Sequence, residues 1–106
     1  MNQHPVFAQV RQRAPKVHCL TNPVTMQDVA NVLLAAGGSA VMAQDAAEVE
    51  EITTLCDATL LNTGVPSAEK FHACALAGVR ANELGHPVVL DPVGAGASAF
   101  RRSQLD

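Results

Sequence analysis

Aromatic residues are scarce in this sequence. It contains three phenylalanines and neither tyrosine nor tryptophan. Platforms that stack nucleic-acid bases and cages that hold quaternary ammonium groups need several such rings, so both are excluded. Basic residues are also outnumbered, since seven Lys and Arg face ten Asp and Glu and the net charge is -3. The longest basic run is Arg101-Arg102. We therefore expect no nucleic-acid partner.

Long apolar segments are missing as well. The longest nearly continuous one, residues 32–43, is interrupted by Gly37, Gly38 and Ser39. It is shorter than the roughly 20 residues that a membrane-spanning helix requires. The N-terminal segment MNQHPVFAQVRQR contains no apolar stretch of signal-peptide length. These absences predict no membrane partner and favour a cytoplasmic location.

Cysteines and histidines form no recognisable metal-binding pattern. The cysteines are odd in number and include no CxxC pair, which favours buried thiols over disulfides or zinc ligands. The histidines share no ligand-like spacing, which favours structural or surface roles. These residues are Cys19, Cys56, Cys74, His4, His18, His72 and His86. No nucleophilic triad is predicted, because no base and orienting carboxylate accompany Ser67, Ser98 or Cys19.

What the sequence does contain is enough apolar material for one globular domain: 106 residues, 48% hydrophobic and 16% charged. Apolar residues at helical spacing predict four helices, around residues 5–14, 26–34, 49–56 and 71–79. Gly37 should end the second helix. Asp45 and Glu48 resemble a capping box before the third, and Ser67 can cap the fourth.

Short, continuous apolar runs separate the helices. They are VHCL, AVMA, ATLL and VVL, at residues 17–20, 40–43, 58–61 and 88–90. Such runs are typical of strands buried on both faces. Their alternation with helices predicts right-handed βαβ crossovers and an α/β fold, with a parallel sheet of about four strands flanked by helices.

Small or polar residues stand where each run ends. They are Thr21-Asn22, Ala43-Gln44, Asn62-Thr63-Gly64 and Asp91-Pro92. In a parallel sheet these carboxyl ends lie along one edge, and open α/β sheets bind ligands at that edge. The sequence therefore predicts one crevice there.

The segment VVLDPVGAGASAF carries the strongest local signal. It places Asp91 at a strand end, and Gly94 and Gly96 allow backbone amides to approach an anion, as in a phosphate-handling turn. The letters GAGASA also match the dinucleotide pattern GxGxxA, but Pro92 intervenes and the acidic residue expected about twenty positions later is not found. A turn that simply leads into a helix explains the motif equally well.

Three other residues have both a functional and a structural interpretation. Asn22 can hydrogen-bond a heterocycle or a hydroxyl, because an amide donates and accepts, or it can form the turn that leads into a helix. Met42 offers soft apolar contact to a small ligand, or it packs in the core. Gly64 suits either a tight turn or a ligand that approaches the backbone closely.

Three longer segments carry a family resemblance. VHCLTNPVTMQDVANVLLAAGGSAVMA, AEVEEITTLCDATLLNTG and AGVRANELGHPVVLDPVGAGAS, with the intervals between them, closely resemble the N-terminal part of hydroxyethylthiazole kinase. This resemblance implies a ribokinase-like fold. It also implies transfer of the ATP γ-phosphate, with Mg²⁺, to the hydroxyl of 4-methyl-5-(2-hydroxyethyl)thiazole in thiamine biosynthesis or salvage. By the same resemblance we expect a homotrimer with active sites between subunits.

The resemblance also gives roles to particular residues. It implies that Met42 contacts the thiazole, that Asn22 and Gly64 line the same pocket, and that Asp91 lies near the magnesium and the phosphates. Two neighbouring positions depart from the family pattern. Ala40 stands where the family usually has Pro, and Val65 stands where Thr commonly follows the Asn-x-Gly turn.

Length is the largest departure from the family. Members are more than twice as long, and their later half carries an ATP-binding region, an Arg-Gly-Asn segment, an anion hole and a catalytic Cys. None of these motifs occurs here. Residues 1–106 are therefore predicted to be a single N-terminal, substrate-side portion of a ribokinase-like domain, without the ATP-binding part and inactive alone. The alternatives are a non-catalytic small-molecule binding module and an inactive truncated product.

Overall fold

Four short apolar segments pair into one parallel sheet in the computed structural model, which describes residues 5–94 and 96–103. The strands are β1 (Lys16–Leu20), β2 (Ser39–Met42), β3 (Ala58–Asn62) and β4 (Val88–Asp91), in the order β2-β1-β3-β4. Each boundary lies within one residue of its predicted position. The predicted parallel α/β arrangement is confirmed.

Helices connect the strands. They are α1 (Pro5–Arg13), α2 (Met26–Ala36), α3 (Val49–Leu55), α4 (Ala68–Leu84) and α5 (Ala99–Ser103). Gly37 ends α2 in the left-handed conformation at φ 100°, as predicted. The Ser67 side chain accepts a hydrogen bond from the Lys70 amide at 3.1 Å, so the predicted cap of α4 is also confirmed.

The predicted capping box of α3 is wrong. The helix begins at Val49, and the Glu48 side chain makes no capping bond. Asp45 Oδ1 instead accepts the Ala47 amide at 2.9 Å. The Asp45 carbonyl accepts the amides of Glu48 and Val49. Asp45 therefore closes a separate turn, because its side chain satisfies a nearer amide than a capping box requires.

The order of the strands divides the helices between the two faces of the sheet. The chain moves from β1 to one side to form β2, then crosses to the other side for β3 and β4. Since crossovers between parallel strands are right-handed, the two directions place their helices on opposite faces. Accordingly α2 packs with α1 and β2, while α3 and α4 pack on each other. The direction reverses between β1 and β3, and that switch point is where open sheets form ligand crevices.

The core lies under α3 and α4. Leu20, Val49, Ala73 and Ala77 are completely buried there, and Leu61 packs against them. Alanines on α4 allow this helix to approach β3 closely, which suits a sequence rich in small residues. The tightly packed layer of α3 and α4 therefore supports one face of the sheet at the switch point.

The prediction that all four strands are buried on both faces is wrong for β4. All four of its residues are exposed, with Val89 at 61% and Leu90 at 45%. The reason is topological. β4 is an edge strand that pairs with β3 alone, and α4, which packs mainly on α3 and β3, covers β4 only in part.

Candidate functional site

A row of polar side chains crosses the sheet at the switch point. Asn22 follows β1, Asn62 ends β3 and Asp91 ends β4. The Asn22 Nδ2 group donates to Asn62 Oδ1 at 2.9 Å, and Asn62 Nδ2 donates to Asp91 Oδ2 at 2.8 Å. Asn62 and Asp91 are also direct register partners in the sheet. Three strand ends that are far apart in sequence therefore form one continuous hydrogen-bonded row.

Asn22 also shapes the entrance to α2. Its Oδ1 accepts the amides of Val24 at 3.0 Å and Thr25 at 3.2 Å, and its carbonyl accepts the amide of Met26. The residue is 6% exposed. The structural interpretation of Asn22 thus holds for Oδ1, which forms the turn, while Nδ2 joins the polar row.

Gly64 stands where no side chain fits. A Cβ atom built on it would lie 2.7 Å from Asn22 Nδ2 and 2.9 Å from Asn62 Oδ1. Its own amide donates to Asn62 Oδ1 at 2.8 Å. The backbone therefore passes directly against the two asparagines, which explains why this position requires glycine.

Beside the row is a cavity of about 730 Å³, called here the row cavity. The predicted site residues Asn22, Gly64 and Asp91 all line it, together with Asn62. Much of its remaining wall is apolar and includes Val29, Val32 and Leu33 of α2 and Leu60 of β3, while Asp28 and Arg101 add one charge of each sign. A small ligand with an apolar ring and a few polar atoms suits such a surface.

Met42 is not among the residues that line the row cavity. It is half-buried at the end of β2 and pairs in register with Cys19. β2 is the edge strand beside β1, so Met42 lies on the far side of β1 from Asn62 and Asp91. The structure therefore brings together three of the four predicted substrate and metal residues but not Met42.

The predicted phosphate-handling turn follows Asp91. Gly94 adopts φ +64°, which favours glycine, and a Cβ there would collide with the Arg101 guanidinium. Arg101 Nη1 donates to the Val93 carbonyl at 3.0 Å. Gly96 is exposed, and its carbonyl accepts Arg102 Nη1 at 3.3 Å. Ala95, inside the motif, lies outside the described residues.

Arg101 is a site residue that the sequence reasoning missed. It lines the row cavity from α5, across from Asp91. A guanidinium beside a glycine turn suits a phosphate, because it is always charged and presents several donors. The sequence signal that identifies it is the basic pair Arg101-Arg102, which stands soon after the two glycines of the motif.

The carboxylate of Asp91 fits a magnesium site of the kind that phosphate substrates complete. Asp91 is exposed, and within the described part of the chain only one of its carboxylate oxygens, Oδ2, accepts a hydrogen bond, from Asn62 Nδ2. Mg²⁺ usually keeps several waters and takes one or two carboxylates plus substrate phosphates. Among residues 5–94 and 96–103, no group of three or more His, Cys, Asp and Glu side chains could hold a metal alone.

His18 is completely buried behind the strand ends. Its Nε2 lies 2.8 Å from the Ala43 carbonyl and its Nδ1 lies 2.9 Å from Thr53 Oγ1. Since a carbonyl only accepts, Nε2 carries the hydrogen and Nδ1 of the neutral ring accepts from the Thr53 hydroxyl. Burial lowers the pKa of His18. The structural role predicted for this histidine agrees with these contacts, while His4 lies outside the described residues.

The cysteines are free thiols, as predicted. Cys19 and Cys56 are buried and Cys74 is half-buried. Burial raises the pKa of Cys19 to about 11 and raises the pKa of the other two thiols as well. Thiols with raised pKa values are poor nucleophiles at neutral pH, so none of them stands in for a catalytic cysteine.

Comparison with known proteins identifies the family. The sequence model of the hydroxyethylthiazole kinase family matches residues 7–106. This chain belongs to that family. A hydroxyethylthiazole kinase of Desulfovibrio desulfuricans is 56% identical over 94% of the chain, and one of Alkaliphilus oremlandii is 48% identical over 95%. The solved structure of hydroxyethylthiazole kinase from Pyrococcus horikoshii OT3 superposes with a TM-score of 0.93 at 46% identity. The ribokinase-like fold is thereby confirmed.

The chain spans only part of these relatives. It covers 35% of the Desulfovibrio protein, 37% of the Alkaliphilus protein and 40% of the Pyrococcus chain, although the matches extend over about 95% of its own length. Within the part of the chain that the structure describes, no helix is both long and apolar enough to cross a membrane.

Proposed function

We propose that this chain is the thiazole-binding portion of a kinase that phosphorylates 4-methyl-5-(2-hydroxyethyl)thiazole, within thiamine biosynthesis or salvage in the cytoplasm. The observation that carries the proposal is the polar row of Asn22, Asn62 and Asp91 beside a largely apolar cavity at the switch point. Membership of the family supports the same activity for the complete enzyme.

The cavity offers each part of the proposed substrate a suitable surface. Val29, Val32 and Leu33 provide an apolar wall for the methylated ring. The amides of Asn22 and Asn62 can donate to or accept from polar atoms of the ligand. Asp91, at the far end of the row, would accept a hydrogen bond from the substrate hydroxyl and would hold the Mg²⁺ that neutralises the phosphate.

Further groups of the site would contact the phosphates. Asp91 would hold Mg²⁺ together with the phosphates, and the ion would neutralise phosphate charge during transfer. Arg101 and the Gly94 turn would contact the same phosphates. Gly96, two residues after Gly94, is exposed and would lie near the phosphates as well. ATP itself would be bound mainly by the part of the enzyme that the relatives have and this chain does not span.

Met42 enters the proposal in a different way. It does not line the row cavity of its own chain. Contact between Met42 and the thiazole would come from a second copy, in line with the homotrimer and shared active sites that the family resemblance implies.

The test is to measure binding and turnover separately with the purified chain. We expect saturable binding of the thiazole alcohol by calorimetry and no thiazole-dependent consumption of ATP. Turnover should appear when the remaining part of the Desulfovibrio desulfuricans relative is supplied as a second polypeptide. Turnover by the 106-residue chain alone, free of host kinase, would contradict the proposal that ATP is bound mainly by the part of the enzyme that this chain does not span. Binding that never leads to turnover would instead favour a binding module, and absence of binding would favour an inactive product.

A further inference from the structure

Lys70 is a buried lysine that the proposed reaction does not use. It lies in the first turn of α4, is 8% exposed, and its Nζ donates to the Gly64 carbonyl. No carboxylate among residues 5–94 and 96–103 forms an ion pair with it. Burying an ammonium group is costly, and burial accordingly lowers the pKa of Lys70. A contact kept at that cost calls for a reason beyond packing.

The carbonyl that Lys70 holds belongs to an unusual peptide. Val65, which follows Gly64, has φ +48°, a left-handed conformation that is strained for a β-branched residue. In the planar trans peptide between them, the N–H points opposite to the C=O. Since the Gly64 carbonyl is directed towards Lys70, the Val65 N–H is directed away from it. That N–H has no hydrogen-bond acceptor within the described part of the chain.

The peptide stands between two cavities. Lys70 lines a smaller one of about 570 Å³, Gly64 lines the row cavity, and Val65 lines both. The other end of Gly64 is fixed as well, because its N–H donates to Asn62 Oδ1. The turn is thus held from both sides, by Asn62 in the polar row and by Lys70 behind it.

We propose that Lys70 is a positioning residue that orients the Gly64–Val65 peptide, so that the Val65 N–H donates to an acceptor atom of a ligand in the row cavity. Resting on the proposed function, this acceptor is the ring nitrogen or the hydroxyl oxygen of the thiazole alcohol. The strained backbone at Val65 and the buried ammonium group of Lys70 then keep the Val65 N–H directed towards the row cavity. Strained backbone has such roles at many functional sites.

The first part of the test needs no ligand. Nuclear magnetic resonance of the labelled full chain reports the Gly64 carbonyl carbon and the Val65 amide. We expect both signals to move in Lys70→Met, which keeps the length of the side chain and removes its donor. They should not move in Lys16→Met, which changes the other lysine, an exposed one on β1. Unchanged Gly64 and Val65 signals in a folded Lys70→Met would overturn the positioning role.

The second part adds 4-methyl-5-(2-hydroxyethyl)thiazole to the unaltered chain, so it stands even if Lys70→Met fails to fold. On saturation the Val65 amide proton should shift downfield and its hydrogen exchange should slow. In Lys70→Met the dissociation constant should rise by up to about tenfold, the effect of one lost hydrogen bond. Lys16→Met should bind as the unaltered chain does.

The outcomes separate this inference from the proposed function. If the Asn62 side-chain amide responds to the thiazole alcohol while the Val65 amide does not, the donor role is overturned and the proposed function stands. If neither signal responds at any concentration, both the donor role and thiazole binding by this chain are overturned. A response of both signals, with binding weakened in Lys70→Met and unchanged in Lys16→Met, supports the proposal.

Discussion

At the scale of single residues, the candidate site depends on three side chains that meet only because their strands are parallel neighbours. Asn22, Asn62 and Asp91 are separated by about thirty to forty positions, yet consecutive members of the row are 2.9 and 2.8 Å apart. Because Asn62 bonds both neighbours, a change at one end of the row can be made without breaking the other bond.

Asp91→Asn should separate chemistry from binding in the reconstituted enzyme. An amide keeps an acceptor for Asn62 Nδ2 and preserves the turn, but it removes the charge that would support magnesium and the transferring phosphate. We expect kcat to fall much more than KM for the thiazole rises. Steady-state kinetics measures both quantities.

Met42→Ala should show the opposite pattern. Loss of apolar contact with the ring costs roughly 1–3 kcal/mol, about 10- to 200-fold in KM, with kcat less affected. A normal kcat in Asp91→Asn, or equal losses of kcat with unchanged KM in both variants, would show that the crevice is assigned to the wrong residues.

His18 should make stability depend on pH. Its folded pKa lies below the ordinary value of 6.5, so the unfolded chain binds more protons at pH values around and below 6.5. The stability that the neutral ring provides is complete above about pH 6.5 and is lost as the pH falls through that value towards the lower folded pKa. Denaturant unfolding at a series of pH values measures this slope.

The matched variants for that experiment are His18→Gln and His72→Gln. His18→Gln removes the titrating ring, so its free energy of unfolding should fall less steeply below pH 6.5 than that of the unaltered chain. His72 is exposed on α4, and its replacement should leave the slope in place. Identical slopes in the unaltered chain and His18→Gln would refute the effect.

The sequence predicted part of this site and missed part of it, for identifiable reasons. Asn22, Gly64 and Asp91 were predictable because strand ends of a parallel sheet share one edge. The absence of Met42 from the lining of the row cavity was not predictable, because the order of the strands is a property of the whole sheet. Arg101 was missed because only the turn at Gly94 brings α5 back over the strand ends.

At the scale of elements, the beginnings of α3 and α4 show when a helix cap can be predicted from sequence spacing. Ser67 stands directly before α4 and its hydroxyl reaches the third helical amide, so sequence spacing alone predicted the cap. Asp45 lies four positions before α3 begins at Val49, and it failed as a cap because its carboxylate bonds a nearer amide, at Ala47. An aspartate shortly before a helix can therefore form either a helix cap or a separate turn.

Ser67→Ala should destabilise the chain by about 1 kcal/mol, because the Lys70 amide loses its acceptor. Ser67→Asp should keep most of that stability, since a carboxylate also accepts and is favoured at a helix N-terminus. Urea unfolding of the three chains measures the differences. Equal losses in both variants would show that packing rather than capping fixes the start of α4.

At the scale of the whole molecule, β4 is the weakest point of the isolated chain. Its two valines and its leucine are exposed. Within the described part of the chain β4 pairs with β3 alone, so its other edge has no hydrogen-bonded strand. The relatives continue well beyond the matched region. Sequence patterning predicted β4 as a strand but not its exposure, because an apolar run has the same composition whether or not its covering layer is present.

We expect the isolated chain to be marginally soluble and to self-associate through β4. Val89→Lys should reduce this association, since charge on an edge strand disfavours pairing, whereas Leu55→Lys, at an equally exposed position on α3, should not. Sedimentation at several concentrations measures the difference. A monodisperse unaltered chain with a sharp thermal transition at high concentration would instead indicate an independently stable module.

The strand order has a consequence for how the sheet is made during synthesis. β2 pairs with one side of β1, β3 then pairs with the other side, and β4 adds to β3. Among the four described strands, each one after β1 therefore joins an edge that already exists when it leaves the ribosome, and none has to be inserted between two strands that are already paired. Folding can follow translation in the direction of the chain, with each new strand using the previous edge as its template.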